Sequence, residues 1–218
     1  MEWSWFPVQL SFFVAFIATI LALLIGTLTA HIMVTRKVKG RAVLETIFFL
    51  PLVLPPTVIG FLLIIIFGKN SPVGEAVEWF TGRSVLFTAT AAILAAAVVA
   101  FPLMYQSVKT GFLSVDQNII GAAKVDGATN WKMLLLITLP LSYRAIITGV
   151  ILSFTRAFGE FGATLMVAGN IPEKTQTIPT AIYLAMETGN TKIAWYYVII
   201  SILFSFILLF SINRMKEN

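Results

Sequence analysis

Five apolar stretches, each long enough to cross a bilayer, limit what this chain can become. They lie at about 8–34, 43–67, 85–105, 146–167 and 195–212. Hydrocarbon about 30 Å thick takes roughly 20 residues of α-helix. Lipid offers a bare amide no partner, so a spanning segment must be a helix or part of a closed barrel. These runs are continuous rather than alternating over about ten residues, which excludes a barrel. Only 11% of the 218 residues are charged and 58% are hydrophobic, with mean hydropathy +0.91. A soluble domain carries about a quarter charged residues. The expected fold is an all-α integral membrane protein of five helices, a single transmembrane domain over 1–218.

The absence of cysteine excludes disulfides, iron–sulfur clusters and thiolate metal sites. A net charge of +5 does not point to nucleic acid, because the basic residues gather at the ends of the apolar runs. Arg36, Lys37, Lys39 and Arg41 fill the first link, Lys109, Lys124, Lys132 and Arg144 flank the third, and Arg214 and Lys216 lie near the C-terminus. The alternate links balance Lys69 and Arg83 against Glu75 and Glu78, and Lys174 and Lys192 against Glu173 and Glu187. Excess Lys and Arg mark the cytoplasmic side, so the N-terminus is expected outside and the C-terminus inside. Glu2 is the only charged side chain before Arg36, and the first apolar run lacks the basic start and the short length of a signal peptide. It reads as a retained membrane helix.

Within the second run, Pro51, Pro55 and Pro56 each lack an amide donor and crowd the preceding turn. A broken helix is tolerated at membrane depth where protein or a water-filled cavity covers it. Either this is a kink that shapes packing, or the bent helix lines a path, with Thr57 offering a hydroxyl and Gly60 a close approach. Arg156 and Glu160 stand four apart in the fourth run, on one helix face, as the ionisable pair deep within a span. Intramembrane charges are costly and face a bundle interior or a cavity. They form either a packing ion pair or a site where Arg156 offsets the charge of a passing oxyanion while Glu160 keeps it from being trapped. His31 reads as a packed or interfacial histidine rather than a ligand.

Between the third and fourth runs, the 114–140 stretch is a small-residue helix, a glycine and a restart. Ser114-Val115-Asp116-Gln117 has the form of a capping box. The helix is expected to reach Asp126 and to end on Gly127 in the left-handed conformation, with Thr129 capping the next helix. Ala122 and Ala123 offer a flat patch, and Ile119 and Val115 apolar anchors, for a soluble partner. The same pattern suits an amphipathic helix lying on headgroups. Pro140 is expected to interrupt regular helix near the membrane surface.

This loop resembles the ATPase-coupling loop of ABC importer permeases, which reads Glu-Ala-Ala, three residues, Gly, nine residues, Ile-x-Leu-Pro. Here Ala122-Ala123, Gly127 and Ile137-Thr138-Leu139-Pro140 keep that spacing, while Gly121 stands in place of the usual Glu. The resemblance covers almost the whole chain and is nearest to molybdate or tungstate permease subunits. It extends through Phe49-Leu50-Pro51-Leu52-Val53-Leu54-Pro55-Pro56-Thr57-Val58-Ile59-Gly60 and Phe101-Pro102-Leu103-Met104. It continues in Arg156-Ala157-Phe158-Gly159-Glu160-Phe161-Gly162-Ala163-Thr164 and in the outer loop from Asn170 to Tyr183. Sulfate permeases share Gly-Glu-Phe-Gly-Ala. The wording Ile178-Pro179-Thr180-Ala181-Ile182-Tyr183 favours molybdate.

The resemblance implies a five-helix type I importer core and a transport subunit rather than an enzyme, with no catalytic residue, metal or cofactor of its own. The sequence contains no Gly-x-x-x-x-Gly-Lys-Ser/Thr phosphate loop, so ATP would bind partner subunits. Implied partners are a second copy of the chain, two cytoplasmic ATPases, an extracytoplasmic molybdate-binding protein and membrane lipid, in a prokaryotic cell membrane. Gly121, Ala122, Ala123, Asp126, Gly127 and Pro140 would form the coupling loop, and Pro55, Pro56, Thr57, Arg156 and Glu160 the candidate pathway. The runner-up from another class is a stand-alone secondary carrier or channel.

Overall fold

The computed structural model describes residues 3–217, and all its regular secondary structure is helical. Glu2 and the side chain of Lys216 lie outside what is described. The helices are α1 Phe6–Thr35, α2 Arg41–Val53, α3 Pro56–Phe67, α4 Pro72–Thr81, α5 Ala89–Leu113, α6 Gln117–Val125 and α7 Asn130–Met133. A π-helical turn over Leu134–Thr138 follows, then α8 Leu139–Leu141, α9 Tyr143–Phe158, α10 Gly162–Ala168, α11 Ile178–Glu187 and α12 Thr191–Glu217.

The bundle is built on α1 against α5, the most extensive helix contact. Ala15, Ala18, Ala22 and Ala30 recur at helical spacing on α1 and are buried, facing an equally small-sided α5 with Ala92, Ala95, Ala96 and Ala100 fully covered. In lipid there is no hydrophobic drive between helices, so association relies on close van der Waals approach, which small residues permit. On its next face α5 takes α9. A Cβ added at Gly111 would lie 2.6 Å from Ala145 Cβ and 3.1 Å from Ser142 Cβ, so glycine is required there. Higher up, the Ser153 hydroxyl donates to Ala100 O at 3.2 Å. Phe12, Phe154, Phe158 and Phe204 clamp α12 to α1 and α9, with ring centroids 4.4 Å apart for Phe12 and Phe204.

Helices α1, α5 and α12 are each long and apolar enough to span alone. The second expected span is two helices, α2 and α3, inclined at 114°. Pro51 is carried inside α2, and the break falls at Leu54 and Pro55. Leu54 precedes a proline and is extended at φ −68°, ψ 145°, and Pro56 then opens α3 at the position where its missing amide costs nothing.

Other boundaries also differ from the sequence reading. The expected 85–105 span begins later, where the Thr88 hydroxyl accepts the Ala91 amide at 3.3 Å, and runs two turns further, to Leu113. The expected 146–167 span is divided into α9 and α10, because the chain leaves helical geometry at Gly159 and restarts at Gly162. The helical unit of spanning length is Asn130–Leu141 with Tyr143–Phe158, bent by 77° at Ser142. Pro140 stands in the first turn of the three-residue α8, between the π-helical turn and that bend, where regular α-helix is interrupted. The outer links also contain helices α4 and α11, which periodicity did not single out.

Candidate functional site

The 114–140 stretch folds as a helix, a break and a second helix. Ser114 is the C-cap of α5, its amide donating to Thr110 O at 3.1 Å. The expected capping box therefore does not form. Asp116 caps α6 instead, its carboxylate accepting the Asn118 amide at 2.8 Å. At the other end Gly127 has φ 78°. Its amide donates to Lys124 O at 3.1 Å, and the Ala128 amide donates to Ala123 O at 2.9 Å. These two nested bonds make a Schellman stop, which needs the left-handed residue that glycine supplies at no steric cost. Thr129 caps the restart, accepting the Lys132 amide at 3.4 Å.

The two faces of α6 differ. Ala123 is buried, as is Val115 just before the helix. Gly121, Ala122, Val125 and Asp126 are exposed, Val125 to 88%. A Cβ at Gly121 would meet nothing within 4 Å. The expected flat patch is thus halved: Ala122 and Ile119 look outward, while Ala123 and Val115 anchor the helix to the bundle. On the second loop helix, Trp131 stacks on His31 of α1, with centroids 6.0 Å apart and planes 28° apart. Pro140 is exposed beyond the π-helical turn, a local widening that recurs at functional positions.

The two breaks that carry the candidate pathway residues touch through Gly162. A Cβ at Gly162 would sit 2.9 Å from Pro56 Cβ and 3.7 Å from the Thr57 amide nitrogen. A Cβ at Gly60 would sit 2.6 Å from Met166 Cβ. The backbones of α3 and α10 therefore approach as closely as side-chain-free positions allow, while Pro55, Pro56 and Thr57 remain exposed on the other side. Arg156 Nη1 donates to Glu160 Oε2 at 2.7 Å, and Glu160 Oε1 accepts the Ala163 amide at 2.9 Å. Glu160 lies past the end of α9, so the pair bridges a break rather than sharing a continuous helix face. The Glu160 side chain is 1% exposed and that of Arg156 29%. One carboxylate thus neutralises the cation and caps α10 together, leaving part of the guanidinium open.

A second charged cluster was missed. Glu45 Oε1 in α2 accepts from Lys109 Nζ at 2.7 Å, Tyr105 Oη at 3.0 Å and Arg41 Nε at 3.0 Å. It is the main polar tie between the outlying α2 and α5. A lone carboxylate inside an apolar run was the signal, since such a group needs a partner. Arg41 and Lys109 had been read only as markers of membrane side.

Known proteins are similar to this chain over most of its length. The putative molybdenum transport system permease protein YvgM of Bacillus subtilis is 55% identical over 212 residues, 97% of this chain and 93% of that one. The molybdenum transport system permease protein ModB of Escherichia coli K12 is 40% identical over 186 residues, covering 85% and 81%. Among solved structures, the bacterial alginate ABC transporter in complex with its alginate pentasaccharide-bound periplasmic protein superposes with TM-score 0.76 at 19% identity. The match covers 99% of this chain and 78% of that one, a likeness of fold. Residues 6–216 match the family described as binding-protein-dependent transport system inner membrane component, and the chain belongs to that family.

Proposed function

We propose that this chain is the permease of an ATP-driven importer of molybdate, with tungstate as the chemically close alternative cargo. The observation that carries its role as a coupled subunit is the two-sidedness of α6. One face is anchored by Ala123, and the other is open around Gly121, Ala122 and Val125. A surface helix held rigidly by its own caps, with small residues outward, suits a groove on a second protein. The cargo class rests on the names of the two relatives above.

Two copies would enclose the pathway, with an ATPase subunit on each loop binding the ATP and a binding protein delivering the anion from outside. The N-terminus is assigned outside and the loop inside on the Lys/Arg asymmetry. Arg156, partly open at the α9–α10 break, offers the passing oxyanion a positive field, and Glu160 limits its depth.

The test is reconstitution with the ATPase and binding protein in proteoliposomes. ATP-dependent uptake of labelled molybdate should be displaced by tungstate and not by equal sulfate. Equal displacement by sulfate makes the chain a sulfate permease, and gradient-driven uptake without the ATPase makes it a secondary carrier. Because the chain lacks cysteine, single cysteines report its orientation. Those at Lys39 or Lys124 should resist an impermeant maleimide, and those at Asn70 or Lys174 should react.

A further inference from the structure

A cavity of about 230 Å³ lies between the loop-side ends of α1 and α5 and the loop helices. Six polar residues line it: His31, Thr35, Gln117, Lys124, Asn130 and Thr138. Gln117 and Lys124 are seven apart on α6, so both exposed side chains lie along one edge of the cavity. The Lys124 ammonium, the Gln117 and Asn130 amides and the Thr138 hydroxyl can donate, the Thr35 hydroxyl already donates to His31 O at 2.7 Å, and none of the lining residues is a carboxylate. The two acids of the loop lie elsewhere: Asp116 caps α6, and Asp126 is its exposed C-cap. Lys124 takes part in none of the three ion pairs among the described residues. At about 30 Å³ per water, the volume admits a small anion with part of its hydration. The lining comes from α1, α5, α6, α7 and the π-helical turn, and so shares no residue with the Arg156–Glu160 break or with α3 and α10.

We propose that this cavity binds a small oxyanion of the phosphate, sulfate or molybdate class, free or carried on a lipid headgroup of net negative charge, with Lys124 as its principal charge partner. A donor-rich, carboxylate-free lining selects an acceptor-only ligand. Such a ligand would bridge α1, through His31, to the loop helices, through Gln117, Lys124 and Asn130, and so stiffen the loop against the first membrane helix. The inference goes beyond the assigned transport role and stands whichever anion is the cargo.

The test uses the purified full-length chain in phosphatidylcholine nanodiscs. Inorganic phosphate is titrated at constant ionic strength, and the emission attributable to Trp131 is followed by difference from Trp131→Phe, because that ring stacks on His31 at the cavity. A saturable change is expected. Lys124→Gln, on an exposed residue, should weaken it at least about tenfold, and Lys124→Arg should retain it. Phosphatidylglycerol nanodiscs separate the two sources. A free-anion site gives the same phosphate titration in both lipids. A headgroup site shows the change with phosphatidylglycerol alone, and added phosphate then does nothing further. No saturable change in either lipid, or one indifferent to Lys124→Gln, overturns the proposal.

Discussion

Helices α5 and α12 both pass for membrane spans, and α12 is the more apolar of the two, yet 56% of the spanning window of α5 is buried in the bundle against 17% for α12. The buried helix is rich in alanine, with Ala91, Ala92, Ala95, Ala96 and Ala100 on its covered faces. The peripheral one shows Ile202, Leu203, Phe206 and Ile207 outward. In water the ordering would be reversed, since the larger apolar side chains would seek the core. In lipid, bulk is satisfied anywhere, and what places a helix at the centre is how closely its backbone can be approached. Damage should therefore follow protein contact rather than apolarity.

The largest effect is expected at α9, which packs on α5. Arg156→Leu strands the buried Glu160 carboxylate and should cost about 3 kcal/mol, read as a fall in the thermal midpoint of the purified permease. Adding Glu160→Gln, which keeps an acceptor for the Ala163 amide, should restore most of it. If the double variant is no more stable than the single, the pair contributes something other than mutual neutralisation. Next comes Gly111→Val, which drives a side chain into Ala145 and Ser142 and should cost about 1–3 kcal/mol. An unchanged midpoint there would break the argument that close approach centres α5.

Gly127→Val sits outside the bundle, on an exposed turn. Its strain of roughly 1–2 kcal/mol should leave the midpoint of the permease nearly untouched while abolishing copurification of the ATPase. Full retention of the ATPase would remove the loop from the docking role. The smallest effect is expected on α12, where Leu203→Ala should fall within about 0.5 kcal/mol. A loss as large as that of Gly111→Val would mean that protein, not lipid, covers this face, and cross-linking through a cysteine at Leu203 would show whether a second copy does.

Local chemistry was legible in the sequence wherever the cause was local. Gly127, its Schellman stop and the Thr129 cap follow from residues within a few positions of one another. The errors came from causes far along the chain. Lys109 looked like the end of a span, but its charge is met by Glu45, 64 residues away, so α5 runs on and takes Ser114 for its own C-cap. The apolar 146–167 run gave no sign of division, because the break depends on Gly162 seating on Pro56, far back in the chain. The pathway candidates were identified one by one as prolines or charges, and only the fold brings their two breaks together.

The Arg156–Glu160 pair has an electrical consequence as well. Moving one elementary charge across a membrane potential costs or yields about 2.3 kcal/mol per 100 mV. Held at 2.7 Å, the two side chains travel as a dipole of zero net charge whenever this part of the bundle shifts. The motion of this pair is then nearly blind to the membrane potential, and at this break the field acts chiefly on the cargo. An anion moving inward works against an inside-negative cell, and that opposing work falls to ATP.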